Sequence, residues 1–268
     1  MSYQKYFDEI KPLLDSIEKT QGPQIEKAAQ VMTDVIANGG MVHIFGPGHT
    51  CILAQEMTWR AGGLSAMSPI IDPDLVTFFG PQVGLMEQLE GYGVILFETH
   101  ATEPGEAVIV VSHLGFCAVA VDVALAAKRK GLTVIAVTGV DYSRQFEPWH
   151  SSGKRLMDVA DIVLDNFCPV GEALVKLEGL PQPVGPASTI LAAYILNALV
   201  VQVAANLLER GIIPPVFWSA NVEIPSELGE QLRGAYEPYR DRIHRRQRPS
   251  EPLAQLLEVS RGYTGKPF

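Results

Sequence analysis

Met41-Val42-His43-Ile44-Phe45-Gly46-Pro47-Gly48-His49-Thr50 passes from five residues suited to a buried parallel strand into a glycine turn and then a helix-like sequence. Gly46 and Gly48 let the backbone turn sharply, and Thr50 is placed to cap the next helix. The free amides and partial positive charge of such a helix start face an anion, so the stretch reads as a phosphate cradle. The same ten residues also fit an ordinary strand-to-helix connection, and the choice between the two rests on what surrounds them.

Ala107-Val108-Ile109-Val110-Val111 is a second apolar strand, and it ends in Ser112-His113-Leu114-Gly115. A helix-like run from Phe116 to Lys130, then Gly131, then a strand from Thr133 to Thr138 follow it. This is the order of a right-handed crossover unit, whose loops at the carboxyl ends of the strands are where ligands sit. Leu64 to Ile71 and Asp161 to Leu164 add two strands. The expected fold class is α/β, a three-layer sandwich with a five-stranded parallel sheet and helices on both faces.

Before the sheet, Tyr6, Ile10, Leu13, Leu14 and Ile17, then Ile25, Ala28, Val31, Met32 and Val35, recur at helical spacing and predict a helical pair over 3–37. Two apolar stripes exceed what one domain edge covers, so the pair is expected outside the core layer as a contact in a homodimer or larger homo-oligomer. Helices are expected over Cys51 to Ala61, Val83 to Leu89, Tyr92 to His100 and Ser188 to Arg210, with Gly179 to Pro186 as a link. A helical extension over 225–248 completes one domain spanning 1–268.

With a net charge of -9, nothing favours nucleic acid or an anionic membrane as a general partner, and neither is expected. The basic run from Arg240 to Arg248 reads as a solvated helix end. Cys51, Cys117 and Cys168 form no CxxC pair, and Met1 to Glu9 is polar and acidic, so reduced thiols in a cytoplasm are expected and a secretory leader is not. Asn197, Gln202 and Asn206 interrupt the apolar run from Ile190 to Leu208, which suits a core or subunit-interface helix better than a membrane span.

The first loop, the second loop, Val137-Thr138-Gly139 and Gly185-Pro186-Ala187-Ser188-Thr189 at the start of the long helix form an ordered set. Over roughly residues 24 to 210 the sequence resembles the sugar-isomerase (SIS) domain family of phosphosugar-binding proteins. Arg60-Ala61-Gly62-Gly63 and His150-Ser151-Ser152-Gly153-Lys154-Arg155-Leu156 narrow the resemblance to a bacterial branch related to phosphoheptose isomerase and N-acetylmuramic acid 6-phosphate etherase. The resemblance implies a flavodoxin-like fold and a sugar phosphate as ligand. It gives the phosphate to Thr50, Ser112, Ser188 and Thr189, with Gly46, Gly48, His49, His113 and Gly115 around them.

Two departures stand out. Leu114 occupies the second serine of the family's Ser-x-Ser-Gly loop, and leucine donates no hydrogen bond. Where phosphoheptose isomerase has a histidine and a glutamate on the first helix, this chain has Glu56 and Arg60, so those metal ligands do not carry over. No metal and no cofactor are expected, because His49, His113 and His150 lack ligand-like spacing.

Aldose-ketose isomerisation needs a base for a carbon-bound proton, a group to shuttle a hydroxyl proton, and stabilisation of an enediolate. Glu56, Glu87 and His150 are the catalytic candidates. Glu56 reads equally as the partner of Arg60, Glu87 and its neighbour Glu90 as surface or capping residues, and His150 as loop packing. His43 reads as a core histidine. Two functions fit: a cytoplasmic sugar-phosphate isomerase using enediol or elimination chemistry, and a non-catalytic phosphosugar sensor.

Overall fold

The computed structural model describes residues 1–77 and 80–244. Helices α1 (Ser2–Thr20) and α2 (Gly22–Ala37) lead into β1 (Val42–Phe45), α3 (Cys51–Glu56), β2 (Met67–Ile70), α4 (Pro81–Met86), α5 (Tyr92–Thr99) and β3 (Ala107–Val111). Then come α6 (Ala118–Arg129), β4 (Thr133–Thr138), α7 (Val140–Arg144), α8 (Leu156–Val159) and β5 (Ile162–Asp165). The hairpin strands β6 (Ala173–Val175) and β7 (Val184–Pro186) precede α9 (Ser188–Glu209) and α10 (Ser226–His244).

The central sheet has the order β2-β1-β3-β4-β5, and every adjacent pair is parallel. All five residues of β3 are buried. A strand covered on both faces must be apolar at every position, which is why the sequence shows continuous runs there rather than alternation. Ala107, Ile109 and Val111 join the core shared with α2, α3 and α9, while Val108 and Val110 join the core shared with α5 and α6. The order reverses between β1 and β3, and in a sheet of this kind that reversal opens a crevice at the strands' carboxyl ends. Both glycine loops lead out of that point.

The second helix lies in the core layer rather than outside it. Ala28, Ala29, Met32 and Ile36 are buried in the cluster that holds Leu196, Leu199 and Val203 of α9. Full burial of one such large side chain is worth about 1.5–3 kcal/mol, enough to dominate over helix propensity in placing α2. The first helix is mostly exposed and buries Ile10 and Ile17. The stretch from 179 to 186 is not simply a link, because Val184–Pro186 pairs antiparallel with Ala173–Val175. Helix α3 ends at Glu56, well short of Ala61, and Trp59 takes a left-handed φ of 51° in the turn beyond it.

Helix α9 is long and apolar enough to cross a membrane by length and composition, yet Leu191, Ala192, Ile195, Leu196, Leu199, Val203 and Leu207 are buried in the core. Of the basic run, Arg242 is not solvated: it pairs with Glu106 at 2.5 Å and with Glu103 at 3.4 Å. Residues 245 to 248 of the expected extension lie outside the described residues.

Candidate functional site

A cavity of about 180 Å³ lies at the carboxyl ends of β1 and β3, lined by residues of both loops together with Glu87, Cys117 and Glu172. The first loop is shaped by Gly48, whose φ is +60° and where any Cβ would strike the Glu87 carboxylate. A glycine there lets that carboxylate lie directly over the loop. Glu87 follows α4, and its carbonyl oxygen accepts from the Val119 amide in the first turn of α6 at 3.1 Å. That bond fixes the height of the Glu87 side chain over the cavity.

The second loop turns at Gly115, where φ is +66° and a Cβ would meet the Thr138 and Ser143 hydroxyls. Gly115 N–H donates to Ser112 Oγ at 3.1 Å, which closes the loop on itself. His113 follows Ser112 and is buried, with its ring stacked 5.3 Å from that of His49.

Glu172 comes from the segment between β5 and β6, held at a left-handed φ of 64°. Its carbonyl oxygen accepts from Ala187 N–H at 2.9 Å, which ties it to the start of α9. There the carboxylate lies 3.3 Å from His49 Nε2, and Ser188 Oγ lies 3.4 Å from the same nitrogen. The hydrogen bond to Glu172 raises the His49 pKa above 6.5, against the opposing effect of burial. Burial would raise the Glu172 carboxyl, but the bonds from His49 and Ser188 hold it well below its ordinary value. Glu87 goes the other way: burial raises it, and nearby Glu172 adds to the rise while His49 opposes it. Three titratable groups with pKa values pushed in different directions therefore share one cavity, the condition for splitting base and acid roles.

Of the residues singled out from sequence, the structure brings His49, Thr50, Glu87, Ser112 and His113 to the cavity wall. Gly46, Gly48 and Gly115 shape the loops, and Ser188 reaches the site through His49. Thr189 sits one residue further into α9 and is not among the lining residues. Thr50 does not cap the next helix with its side chain; its hydroxyl bonds to the carbonyl of Pro47 at 2.5 Å and approaches that of Val111 at 3.2 Å. One hydroxyl proton cannot serve those acceptors and a phosphate together, so Thr50 fastens the two loops to each other.

Glu56 and His150 are not brought to the cavity. Glu56 pairs with Arg60 and accepts from Asn197 at 3.3 Å, on the outer side of α3. His150 lies 3.2 Å from Asp122 Oδ1 and 2.8 Å from Ser152 Oγ, while Ser151 binds Glu90, so this cluster fastens the loop after α7 to α5 and α6. His43 is buried in the sheet, with Nε2 2.8 Å from Glu106 and Nδ1 3.2 Å from His100.

Sequence reasoning missed Glu172. The available signal was its place just beyond the carboxyl end of the fifth strand, next to Gly171. Among the described residues His49, His113 and Glu172 bring one potential ligand atom each within 4.8 Å of one another, a spacing a metal ion would accept. For His113 the remaining requirement, a free lone pair on Nε2, is not met. Asn166 Nδ2 lies 2.7 Å from Nδ1 and donates to it, so the proton of the neutral ring stays on Nε2.

A model of the SIS domain matches residues 5–139. The chain is 36% identical over 247 residues to a UPF0309 protein of Oceanobacillus iheyensis, covering 91% of this chain and 99% of that protein. It is 38% identical to a UPF0309 protein of Shouchella clausii, again covering 91% of this chain and 99% of the relative. Among solved structures it is similar to a phosphoheptose isomerase of Neisseria gonorrhoeae, with a TM-score of 0.49, 19% identity and coverage of 74% of this chain and 95% of that one.

Proposed function

The chain belongs to the SIS domain family, and from that premise we propose that it binds a sugar phosphate in the cavity between β1 and β3 and isomerises it through an enediol, in the cytoplasm and as a homodimer. The observation that carries the reading is the Glu87 carboxylate, half-buried over the first loop and near the His49–Glu172 pair. A carboxylate with a raised pKa is a stronger base than one in water. It takes the proton from the carbon beside the carbonyl and returns it to the neighbouring carbon. His49, held by Glu172, moves the hydroxyl proton between the two oxygens.

The phosphate falls to the backbone of both glycine loops and to Ser112, the hydroxyl of the cavity wall that Thr50's bonds leave to it. Among the described residues no lysine or arginine lines the cavity, so neutral donors would carry the anion. Three cysteines, all buried and unpaired, support a reducing compartment. Leu114 on the cavity wall, in place of a hydroxyl donor, favours a second reading, a sensor that binds without turnover. A panel of aldose and ketose phosphates, screened for thermal stabilisation and then for deuterium uptake from heavy water, separates the two. Uptake at the carbon beside the carbonyl supports the isomerase, and stabilisation without uptake supports the sensor.

A further inference from the structure

We propose that Asn166 fixes His113 as a neutral imidazole with its proton on Nε2, so that this N–H, left unpaired behind the cavity wall, binds the carbonyl oxygen that becomes the enediolate. The inference rests on the isomerase reading and adds to it the group that stabilises the oxyanion, together with the residue that positions that group.

Asn166 is the first residue after β5. Its N–H donates to the Thr138 carbonyl at 3.0 Å, and its Oδ1 accepts from the Cys168 N–H at 3.0 Å. With the oxygen committed to a backbone donor, the amide cannot flip without opposing two donors, so Nδ2 is the atom that faces His113. An amide nitrogen has only protons to offer, and Nδ1 at 2.7 Å must therefore accept. The one ring proton sits on Nε2. The geometry also resists a second proton, because an imidazolium would set two donors against each other at that distance. Burial and the neighbouring His49 likewise keep the ring neutral.

Nε2 is buried and, among the described residues, has no hydrogen-bond partner, and His113 is part of the cavity wall. An orphaned donor at a cavity wall is where a ligand oxygen gains most, since the alternative is an unsatisfied N–H. A neutral imidazole polarises a carbonyl without the charge repulsion an imidazolium would meet beside His49, whose pKa the bond to Glu172 raises. The ring cannot drift, because it stacks on His49 and the His113 carbonyl accepts from Gly139 N–H at 3.2 Å.

Nitrogen-15 NMR of the histidines in the full chain reads the tautomer directly and needs no activity. At neutral pH His113 is expected to carry its proton on Nε2 and none on Nδ1. A proton on Nδ1, an imidazolium, or zinc taken up on Nε2 of the wild-type ring would overturn the proposal. Asn166→Asp replaces the donor by an acceptor and should move the proton to Nδ1. Phosphoglycolohydroxamate, whose oxyanion mimics an enediolate, should then bind ~100-fold more weakly, the scale of one lost oxyanion donor. In a His113→Gln background the same change should alter binding by less than ~3-fold. An equal loss in both backgrounds would show that Asn166 acts by charge or structure, against the proposal. The expected tautomer and hydroxamate response, found in a protein that exchanges no proton with any sugar phosphate, would sink the isomerase reading and leave the tautomer assignment standing.

Discussion

His49 Nε2 lies 3.3 Å from Glu172 Oε2, across a chain separation that only the return of the backbone to the start of α9 closes. The bond holds the imidazole in its charged form above the usual pH. A group whose folded pKa is raised contributes stability that is full below its unfolded pKa and fades as pH rises through the folded value. Glu172→Gln removes the main cause of the rise, so the His49 titration followed by NMR should move down towards 6.5 or below. An unmoved titration would separate the two residues.

Gly48 has a positive φ, and a Cβ there would strike the Glu87 carboxylate. Gly48→Ala should keep the fold and displace that carboxylate. A shift near 1 Å in a reacting group costs on the order of 100-fold in kcat. Steady-state kinetics on any sugar phosphate that turns over should show this fall in kcat with KM changed little. Undiminished kcat would remove Glu87 from the reaction.

Glu106 is the main buried charge at the opposite end of the sheet. It accepts from Met41 N–H and Glu103 N–H, each at 2.8 Å, and faces His43 and Arg242. Burial would raise its pKa, but those partners hold it at about 2. Set against an ordinary carboxyl, the difference amounts to about 3 kcal/mol of stability. The sign for a depressed carboxyl is that this stability is present above the unfolded pKa and lost as pH falls from about 4.5 towards 2. Glu106→Gln should cost roughly 3 kcal/mol at neutral pH in urea unfolding and flatten the acid limb of the stability profile. A cost under about 1 kcal/mol would contradict this account of the network.

Ile190, Tyr194, Val201 and Leu208 are large apolar side chains exposed along α9, with Val201 at 70%. This stripe, rather than the buried face of α2, supports the homodimer proposed above. Sedimentation at micromolar concentration should give a dimer, and Val201→Glu should give a monomer. A wild-type monomer would contradict it.

The sheet was legible because parallel strands buried on both faces must be continuous apolar runs, as Ala107 to Val111 shows. The two glycine loops were legible for the same reason, since each begins where a run stops. Glu172 and Asn166 were not, because they act from a loop whose position depends on the pairing of Ala173–Val175 with Val184–Pro186, and Gly179 to Pro186 reads locally as a linker. Glu56 and Arg60 show what spacing can tell: four residues apart, they announce the pair the structure forms, but not whether it faces the crevice. Arg242 sits in a basic run whose composition suggests solvent, and only the tertiary fold brings it to Glu106.

The central claim is that Glu87 removes a carbon-bound proton. It is tested most directly by deuterium uptake from heavy water at the carbon beside the carbonyl of a bound sugar phosphate, measured for the wild-type chain and for Glu87→Gln. The amide fills the same space without accepting the proton. The wild type should exchange, and the variant should bind the sugar phosphate with affinity within about threefold while exchange falls by at least ~100-fold, the lower end of what general base catalysis supplies. Exchange that persists in Glu87→Gln at the wild-type rate would contradict the assignment.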